Sequence, residues 1–595
     1  MTQPSFTDLP DVLKKAVAEH GPRRLFGTKK GGEWVWTTYQ EFGKRVDDFR
    51  GGLKALGIGQ GDTVACIAGN RVEWAVAAYA AYGLGARFCP MYESQLAEDW
   101  DYIVRDSGAR ILLASSHAIY EKVKAWPGKV ETLEHVYCMA LPEEDSASFL
   151  AVEALGRKNP APAVAIDPEW VCGFIYTSGT TGKPKGVLLT HANIVSNINA
   201  VGSLFPIDHS DISVSFLPWA HSFGQTCELH WLITRGAATA IAESVEKLVD
   251  NFAEIRPTVL LAVPRIFNRI YDGLLKRMAA EGGLKKKLFD AGMENEEKRK
   301  QLRRAGETSA WVEAKHKFYD KLVFSKVRER FGGRLKYAVS GGAALSPEVA
   351  DFIDKLGIIV CEGYGLTETS PITSANFPDA RKIGSVGRPL PGVTVTIDQS
   401  MVDDKESGNG EIVVKGPNVM KGYHNLPAET AAVMTADGGF RTGDLGRFNA
   451  DGFLYITGRI KEQYKLENGK YVVPGPLEDE LQLSPYILQA FLDGSNKPYN
   501  VLLLIPDRAA VQGWAKENGI SGEYQQILDN PKTKQLITEQ IDKFGTHFKS
   551  YEKPRRFKLI AEEFTVDNGM LTPKMSVKRK TVADRYAKEL AELHS

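Results

Sequence analysis

Between residues 171 and 189, two apolar runs enclose a loop that no ordinary connection requires. The first run is Val171, Cys172, Gly173, Phe174, Ile175 and Tyr176, and the second is Val187, Leu188 and Leu189. Between them lie Thr177, Ser178, Gly179, Thr180, Thr181, Gly182, Lys183, Pro184, Lys185 and Gly186. The glycines let the backbone turn its N–H groups inward toward phosphate oxygens, and the hydroxyls and lysines add donors and charge. This is not the GxxxxGK[ST] loop that opens a helix, because Pro184 follows Lys183 and both flanks read as strands. With no helix directly behind it, the loop cannot hold phosphate by a helix dipole. It is expected to close over a nucleotide as a flap. A hairpin rich in turn residues is the plain alternative, and residues 176–186 are far more specific than such a hairpin needs.

The surrounding sequence alternates between strand and helix. Residues 62–68 form a short apolar strand, residues 73–79 continue in a helical pattern, and residues 111–114 give another strand. Further buried-strand candidates are residues 171–176, 213–217, 259–263, 337–340 and 358–362, each ending at a Gly, Pro or Ser turn. Such alternation predicts α/β layers with mainly parallel sheets, and ligands then belong beyond the carboxyl ends of the strands. Residues 411–458 read as short antiparallel strands with turns at 437–439, 443–444 and 451–452. The expected organisation is a large N-terminal domain, residues 1–458, of layered sheets and helices with a small β-rich part. A smaller mobile α+β domain, residues 459–595, follows it.

Composition narrows the function classes. Hydrophobic residues make up 43% and charged residues 25% of 595, a globular balance, and the formal net charge is zero. No global field favours nucleic acid, and none is expected as a partner. Six cysteines, scattered without CxxC spacing, argue against a zinc ribbon or disulfide framework and fit a reducing, cytoplasmic setting. The first residues lack the pattern of a secretory signal, and no apolar run reaches the length of a spanning helix. One stretch is unbalanced. Residues 265–336, helical in pattern, carry 20 Lys and Arg against 10 Asp and Glu. They read either as a solvated helical face or as a surface for anionic lipid or acyl-CoA, which would make the chain membrane-peripheral.

The loop at 176–186 resembles the signature of the adenylate-forming superfamily: acyl-CoA synthetases, luciferases and peptide-synthetase adenylation domains. Further family motifs follow in order along nearly the whole chain. The resemblance implies ATP held by Thr177, Ser178, Gly179, Thr180, Thr181, Gly182, Lys183 and Lys185. Tyr364-Gly365-Leu366-Thr367-Glu368-Thr369 is similar to the motif whose tyrosine stacks on adenine, whose threonine meets the α-phosphate and whose glutamate holds Mg²⁺. One or two carboxylates with phosphate oxygens is a usual Mg²⁺ environment. Gly341, Gly342 and Ala343 resemble the adenine-pocket turn, and the same segment also reads as a strand-to-helix turn capped by Ser346 with Pro347 behind it. Asp444 resembles the ribose-binding aspartate, Arg459 the arginine that accompanies it, and Lys461 the hinge residue. His221, after Leu217-Pro218-Trp219-Ala220, resembles the histidine beside the acyl pocket; a buried core histidine is the alternative.

The adenylating lysine departs from the usual pattern. Within residues 571–580 the strict position is Ser576, and Lys574 is the first candidate with Lys578 the second. Two residues along an extended segment keep a side chain on the same face, shifted by about 6–7 Å. Residues 222–227 supply no carboxylate for an amino group, which disfavours an amino acid, and Gln225 stands where some relatives carry a tryptophan gate. Residues 263–271, the charged insert and residues 322–328 resemble long-chain fatty acyl-CoA synthetases. Residues 465–474, with Gly469, resemble the loop lining the pantetheine channel. The expectation is therefore ATP-dependent ligation of a long-chain fatty acid to CoA, with ATP, Mg²⁺, fatty acid and CoA as ligands. Two alternatives stand beside it: a fatty acyl-AMP ligase serving a carrier protein, and a non-catalytic protein that binds nucleotide or acyl-CoA.

Overall fold

The computed structural model describes residues 5–177, 183–402, 405–572 and 576–595. The chain divides into two compact units. The first is Met1–Thr396, Val413–Arg441 and Gly452–Leu454, and the second is Ile397–Ile412, Thr442–Asp451 and Tyr455–Ser595.

The first unit is layered α/β, as the alternation predicts. Its largest sheet has seven strands in the order Gly422–Tyr423, Lys185–Thr190, Val171–Thr177, Arg87–Met91, Thr63–Ile67, Ala109–Ala114 and His135–Cys138. The last five run parallel, and Lys185–Thr190 returns antiparallel beside Val171–Thr177. A five-stranded sheet sets Val259–Ala262, Tyr337–Ser340 and Ile359–Gly365 parallel and closes with two antiparallel strands. A four-stranded sheet ends on Ile212–Ser215. These strands are apolar runs because they are covered on both faces. Thr63–Ile67 and Val259–Ala262 are buried at every position. The helix Val72–Gly83 is packed into the core of this unit. It is Ala-rich and apolar all round, and 11 of its 12 residues are buried. The charged stretch is helical, as expected: Pro264–Glu281, Gly283–Arg304 and Ala310–Tyr319.

All six cysteines are buried and unpaired by disulfides. Among the described residues no helix is long and apolar enough to cross a membrane.

The second unit centres on the strands Ile487–Asp493, Asn500–Pro506 and Pro554–Leu559, the first pair antiparallel and the second parallel. The middle strand is wholly buried. Glu478, on the helix Pro474–Leu481, is buried against this sheet. Its carboxylate accepts the Leu492 amide at 2.6 Å and both Arg579 contacts at 2.8 and 2.9 Å. The guanidinium also lies over the Phe491 ring and donates to the Leu492 carbonyl. Burial raises the Glu478 pKa, and Arg579 pulls it back down. Removing one partner of such a pair leaves a buried charge unsatisfied, at a cost of about 3–5 kcal/mol. Glu478→Ala is therefore expected to speed amide hydrogen exchange across Ile487–Asp493, and unchanged exchange there would contradict the anchoring role.

Candidate functional site

Three strand ends of the first unit carry the candidate residues. Ile212–Ser215 leads into Leu217 and His221, Tyr337–Ser340 into Gly341, Gly342 and Ala343, and Ile359–Gly365 into Thr367 and Glu368. The segment at 222–226 brings all three together. Ser222 Oγ lies 3.4 Å from Thr367 Oγ1, and the Thr226 hydroxyl donates to the Ser370 carbonyl at 3.1 Å. A Cβ at Gly341 would stand 3.2 Å from the Phe223 ring, so only glycine allows this approach without displacement. Gly342 has φ +84°, a left-handed conformation that favours glycine. Ala343 is exposed in the same turn. Ser346 caps the helix Pro347–Lys355 with Pro347 in its first turn, so the strand-to-helix reading of this segment holds.

Residues 222–230 then follow an unusual path. Gly224–His230 is a π-helical turn, every residue of it buried. Gly224 permits it to press on the Leu217–Pro218 backbone, where a Cβ would collide with the Pro218 carbonyl. Gln225 donates to the Tyr82 phenol at 3.2 Å. His221 itself is half-buried, and its Nδ1 accepts the Phe223 amide at 3.2 Å. The buried histidines of this neighbourhood are others. His230 Nδ1 bonds the Tyr79 phenol at 2.9 Å, and burial lowers the pKa of His230 and of His191 to about 3.

Thr367–Thr369 forms a tight 3-10 turn with Thr367 buried. Glu368 is half-buried. Its carbonyl accepts the Met420 amide at 2.8 Å, and its Oε1 accepts the Tyr423 phenol at 2.9 Å. Tyr423 in turn pairs with Val187 on the strand leaving the phosphate loop, and Lys185 Nζ lies 5.3 Å from the Tyr423 ring centroid. Lys185 also forms an ion pair with Glu429. One tyrosine therefore links the loop's exit strand to the candidate metal carboxylate. Burial, with Glu368 beside it, raises the Tyr423 pKa well above that of an ordinary phenol, so the group stays a donor. Tyr423 was not singled out by the sequence. It lies 55 residues from Glu368 in the chain, and only the strand pairing joins them.

Thr177 pairs with Lys185 and Tyr176 with Gly186, so the loop's flanks are strands, as expected, and they run antiparallel. The Tyr176 phenol donates to Asp106 at 2.7 Å, and Lys183 Nζ lies 4.9 Å from the Tyr102 ring centroid. Ser178, Gly179, Thr180, Thr181 and Gly182 lie outside the described residues. Tyr364 is half-buried and pairs with Ser374 on the neighbouring antiparallel strand. Glu362, two residues before it, is buried, and that burial raises its pKa to about 8.

In the second unit Asp444 is buried and Arg459 Nε stands 3.1 Å from its Oδ1, so these two candidates do meet. Gly443 beside it has φ +72° and donates to Glu411 at 3.2 Å. Lys461 is exposed on the 3-10 turn Ile460–Glu462. Gly469, φ +83°, turns the short hairpin joining Tyr464–Lys465 to Tyr471–Val472. Lys574 lies outside the described residues. On either side of it, the Thr572 amide donates to the Ser576 carbonyl at 2.8 Å, and Leu571 bridges Val577. Lys578 is exposed, and its amide donates to the Met570 carbonyl at 2.8 Å. Its neighbour Arg579, part of the same basic run, is spent on Glu478.

Residues 13–424 match the AMP-binding enzyme family, and residues 461–595 match the AMP-binding enzyme C-terminal domain. The chain is 30% identical to a peroxisomal long chain acyl-CoA synthetase 7 of Arabidopsis thaliana, over 100% of this chain and 87% of the relative. It is 33% identical to the long-chain-fatty-acid–CoA ligase FadD15 of Mycobacterium bovis, over 95% and 93%. A solved adenylation domain of a carboxylate reductase from Mycobacterium chelonae superposes with a TM-score of 0.75 at 25% identity, covering 98% of this chain and 91% of that one.

The close approach at the third strand end gives a direct test. A Cβ on Gly365 would run into the Pro371 carbonyl. Gly365→Ala should cost about 3 kcal/mol of stability through overpacking against backbone. The expected result is a clear drop in melting temperature, and an unchanged melt would show that the turn does not need this contact.

Proposed function

The chain belongs to the AMP-binding enzyme family, and from this premise we propose that it ligates a long-chain fatty acid to CoA through an acyl-adenylate, releasing AMP and pyrophosphate. The observation that carries the reading is the convergence on residues 222–226 of the Thr367 turn and the Gly341 turn, with Glu368 tied through Tyr423 to the strand of Lys185. Gly341, Gly342, Ala343, Tyr364 and Gly365 receive the adenine. Thr177, Lys183, Lys185 and Thr367 bind the phosphates, and the same role is assigned to residues 178–182 from the sequence motif. Asp444 and Arg459 bind the ribose. Glu368 is the residue that would hold Mg²⁺, which when bound with ATP neutralises charge developing on the phosphates.

The fatty carboxylate, beside His221, attacks the α-phosphorus and pyrophosphate leaves, with Lys574 stabilising the charge that develops. The C-terminal segment then reorients about Lys461. The CoA thiolate, with the loop of Gly469 taken to line its pantetheine channel, attacks the mixed anhydride and releases AMP. A fatty acid rather than an amino acid is supported by the names of the full-length relatives and by the chemistry after His221. The carboxyl nearest in sequence, Glu228, is fully buried and bonded to Ser215, with its pKa raised to about 8. It offers no anion for a substrate ammonium group.

Acyl-dependent exchange between ATP and pyrophosphate tests the first step, and thioester formation from supplied acyl-AMP tests the second. Lys574→Ala is expected to lower exchange by roughly a hundredfold, as for loss of one charge-stabilising donor, and to spare thioester formation. Equal losses in both would refute the assignment. Exchange without thioester from CoA would favour the rival that serves a carrier protein. Nucleotide binding without exchange for any acid would favour the non-catalytic rival.

A lipid surface is part of the same reading. On the helix Ala310–Tyr319 and the turn after it, Trp311, Phe318 and Leu322 are 69%, 53% and 40% exposed. Their spacing of seven and four residues puts them on one stripe. Lys315 lies over the Trp311 ring at 5.0 Å, and Lys317 and Lys321 flank the stripe. Aromatic residues with lysines around them suit the interface of an anionic bilayer, where each lysine contributes about 1 kcal/mol. Co-sedimentation with vesicles containing phosphatidylglycerol is expected to fall in the double variant Trp311→Ser, Phe318→Ser. Equal sedimentation of parent and variant would contradict the contact.

A further inference from the structure

Glu228 is a fully buried acid to which the ligation steps assign no role. Glu228 sits on the π-helical turn Gly224–His230 and has no solvent exposure. The Ser215 hydroxyl donates to its Oε2 at 2.5 Å. Ser215 Oγ in turn accepts from Asn70 Nδ2 at 3.0 Å. The same Asn70 side chain clamps the chain that leads to His221: Nδ2 donates to the Leu217 carbonyl at 2.7 Å, and Oδ1 accepts the Trp219 amide at 2.8 Å. The Phe216 and Leu217 amides and the Trp219 indole also surround the carboxyl. A side chain that helical periodicity assigns to plain core packing is thus aimed at the turn between Ser215 and His221. A π-helical turn widens the helix locally and often marks a functional site. Here it serves two faces at once, because Ser222 and Thr226 reach Thr367 and Ser370 from the same segment.

We propose that Glu228 is a positioning residue for adenylate formation: through Ser215 and Asn70 it fixes the segment bearing His221 against the Thr367 turn. The role of the segment rests on the function proposed above. Burial raises the carboxyl pKa to about 8 against an ordinary 4.5, so the group is neutral at pH 7. The groups facing it are themselves uncharged there. They are Ser215 and Asn70, the Phe216 and Leu217 amides and the Trp219 indole, with Cys227 and His230 on its own turn. Burial pushes the Cys227 thiol up and the His230 imidazole down to about 3. Because the folded pKa lies above the ordinary one, the contribution of Glu228 to stability is full below about 4.5 and is lost as pH rises through about 8. Above that point a buried carboxylate forms, and the clamp on residues 217–219 loosens.

The test compares Glu228→Gln, Glu228→Ala and Ser215→Ala in the full chain by ATP–pyrophosphate exchange at pH 6 to 9.5, with ATP binding measured separately. Glu228→Gln keeps a neutral side chain of the same shape. It is expected to stay within about threefold of the parent at pH 7 and to lose the parent's decline near pH 8. Glu228→Ala and Ser215→Ala are expected to raise the KM for fatty acid by roughly tenfold or more, since small misplacements of reacting groups carry such costs, with ATP binding nearly unchanged. Glutamine as damaging as alanine, or alanine with the parent's KM, would overturn this assignment while leaving the ligase reading intact. A parent inactive in exchange with every acid would overturn the ligase reading and the assignment with it.

Discussion

The candidate site depends on a close approach of backbone to backbone at residues 222–228. Three strand ends from two sheets must meet there, and each contact is allowed by an absent side chain or a short one. Gly224 lets the π-helical turn press on the Pro218 carbonyl, Gly341 lets Phe223 approach, and Gly365 lets the Pro371 carbonyl close the next turn. Ser222 and Thr226 then reach Thr367 and Ser370 with hydroxyls only a few bonds from the backbone. Protein interiors do not yield continuously, so a bulky residue at any of these glycines displaces the other strand ends as well.

From that junction outward, polar groups do the positioning. Tyr423 links Glu368 to the strand that leaves the phosphate loop, and its raised pKa keeps it a donor to the carboxylate. Asn70 and Ser215 hold the approach to His221 from the opposite side, with Glu228 behind them. In the second unit the same logic appears at Glu478, whose carboxylate gathers the Leu492 amide and Arg579 just beyond the segment that carries Lys574. These networks are wholly or partly buried, so each is worth most when every member is satisfied.

What the sequence made legible was local. The strands flanking the phosphate loop, the turn after Ser340 and the charged helices after Pro264 are each set by neighbours a few residues away, through apolar runs, glycines and charge. Asp444 and Arg459, which family resemblance assigns separately to the ribose, form an ion pair in the structure. Less legible were the partners that only tertiary folding supplies. Tyr423 reads as an ordinary strand aromatic until it pairs beside Val187. Glu228 falls within a helical, apolar stretch and carries no motif, and its meaning depends on a π-helical turn that no periodicity announces. Arg579 reads as one of several basic residues near the catalytic candidates, yet its carboxylate partner Glu478 lies 101 residues away.

The central claim is that these turns form one adenylating site for long-chain acids with CoA as acceptor. It is tested most directly by measuring AMP formation from ATP, with and without CoA, across fatty acids from short to long. The account predicts AMP and acyl-CoA appearing in equal amounts, requiring CoA for turnover and rising toward long chains. AMP formation confined to short acids, or none that depends on both acid and CoA, would contradict it.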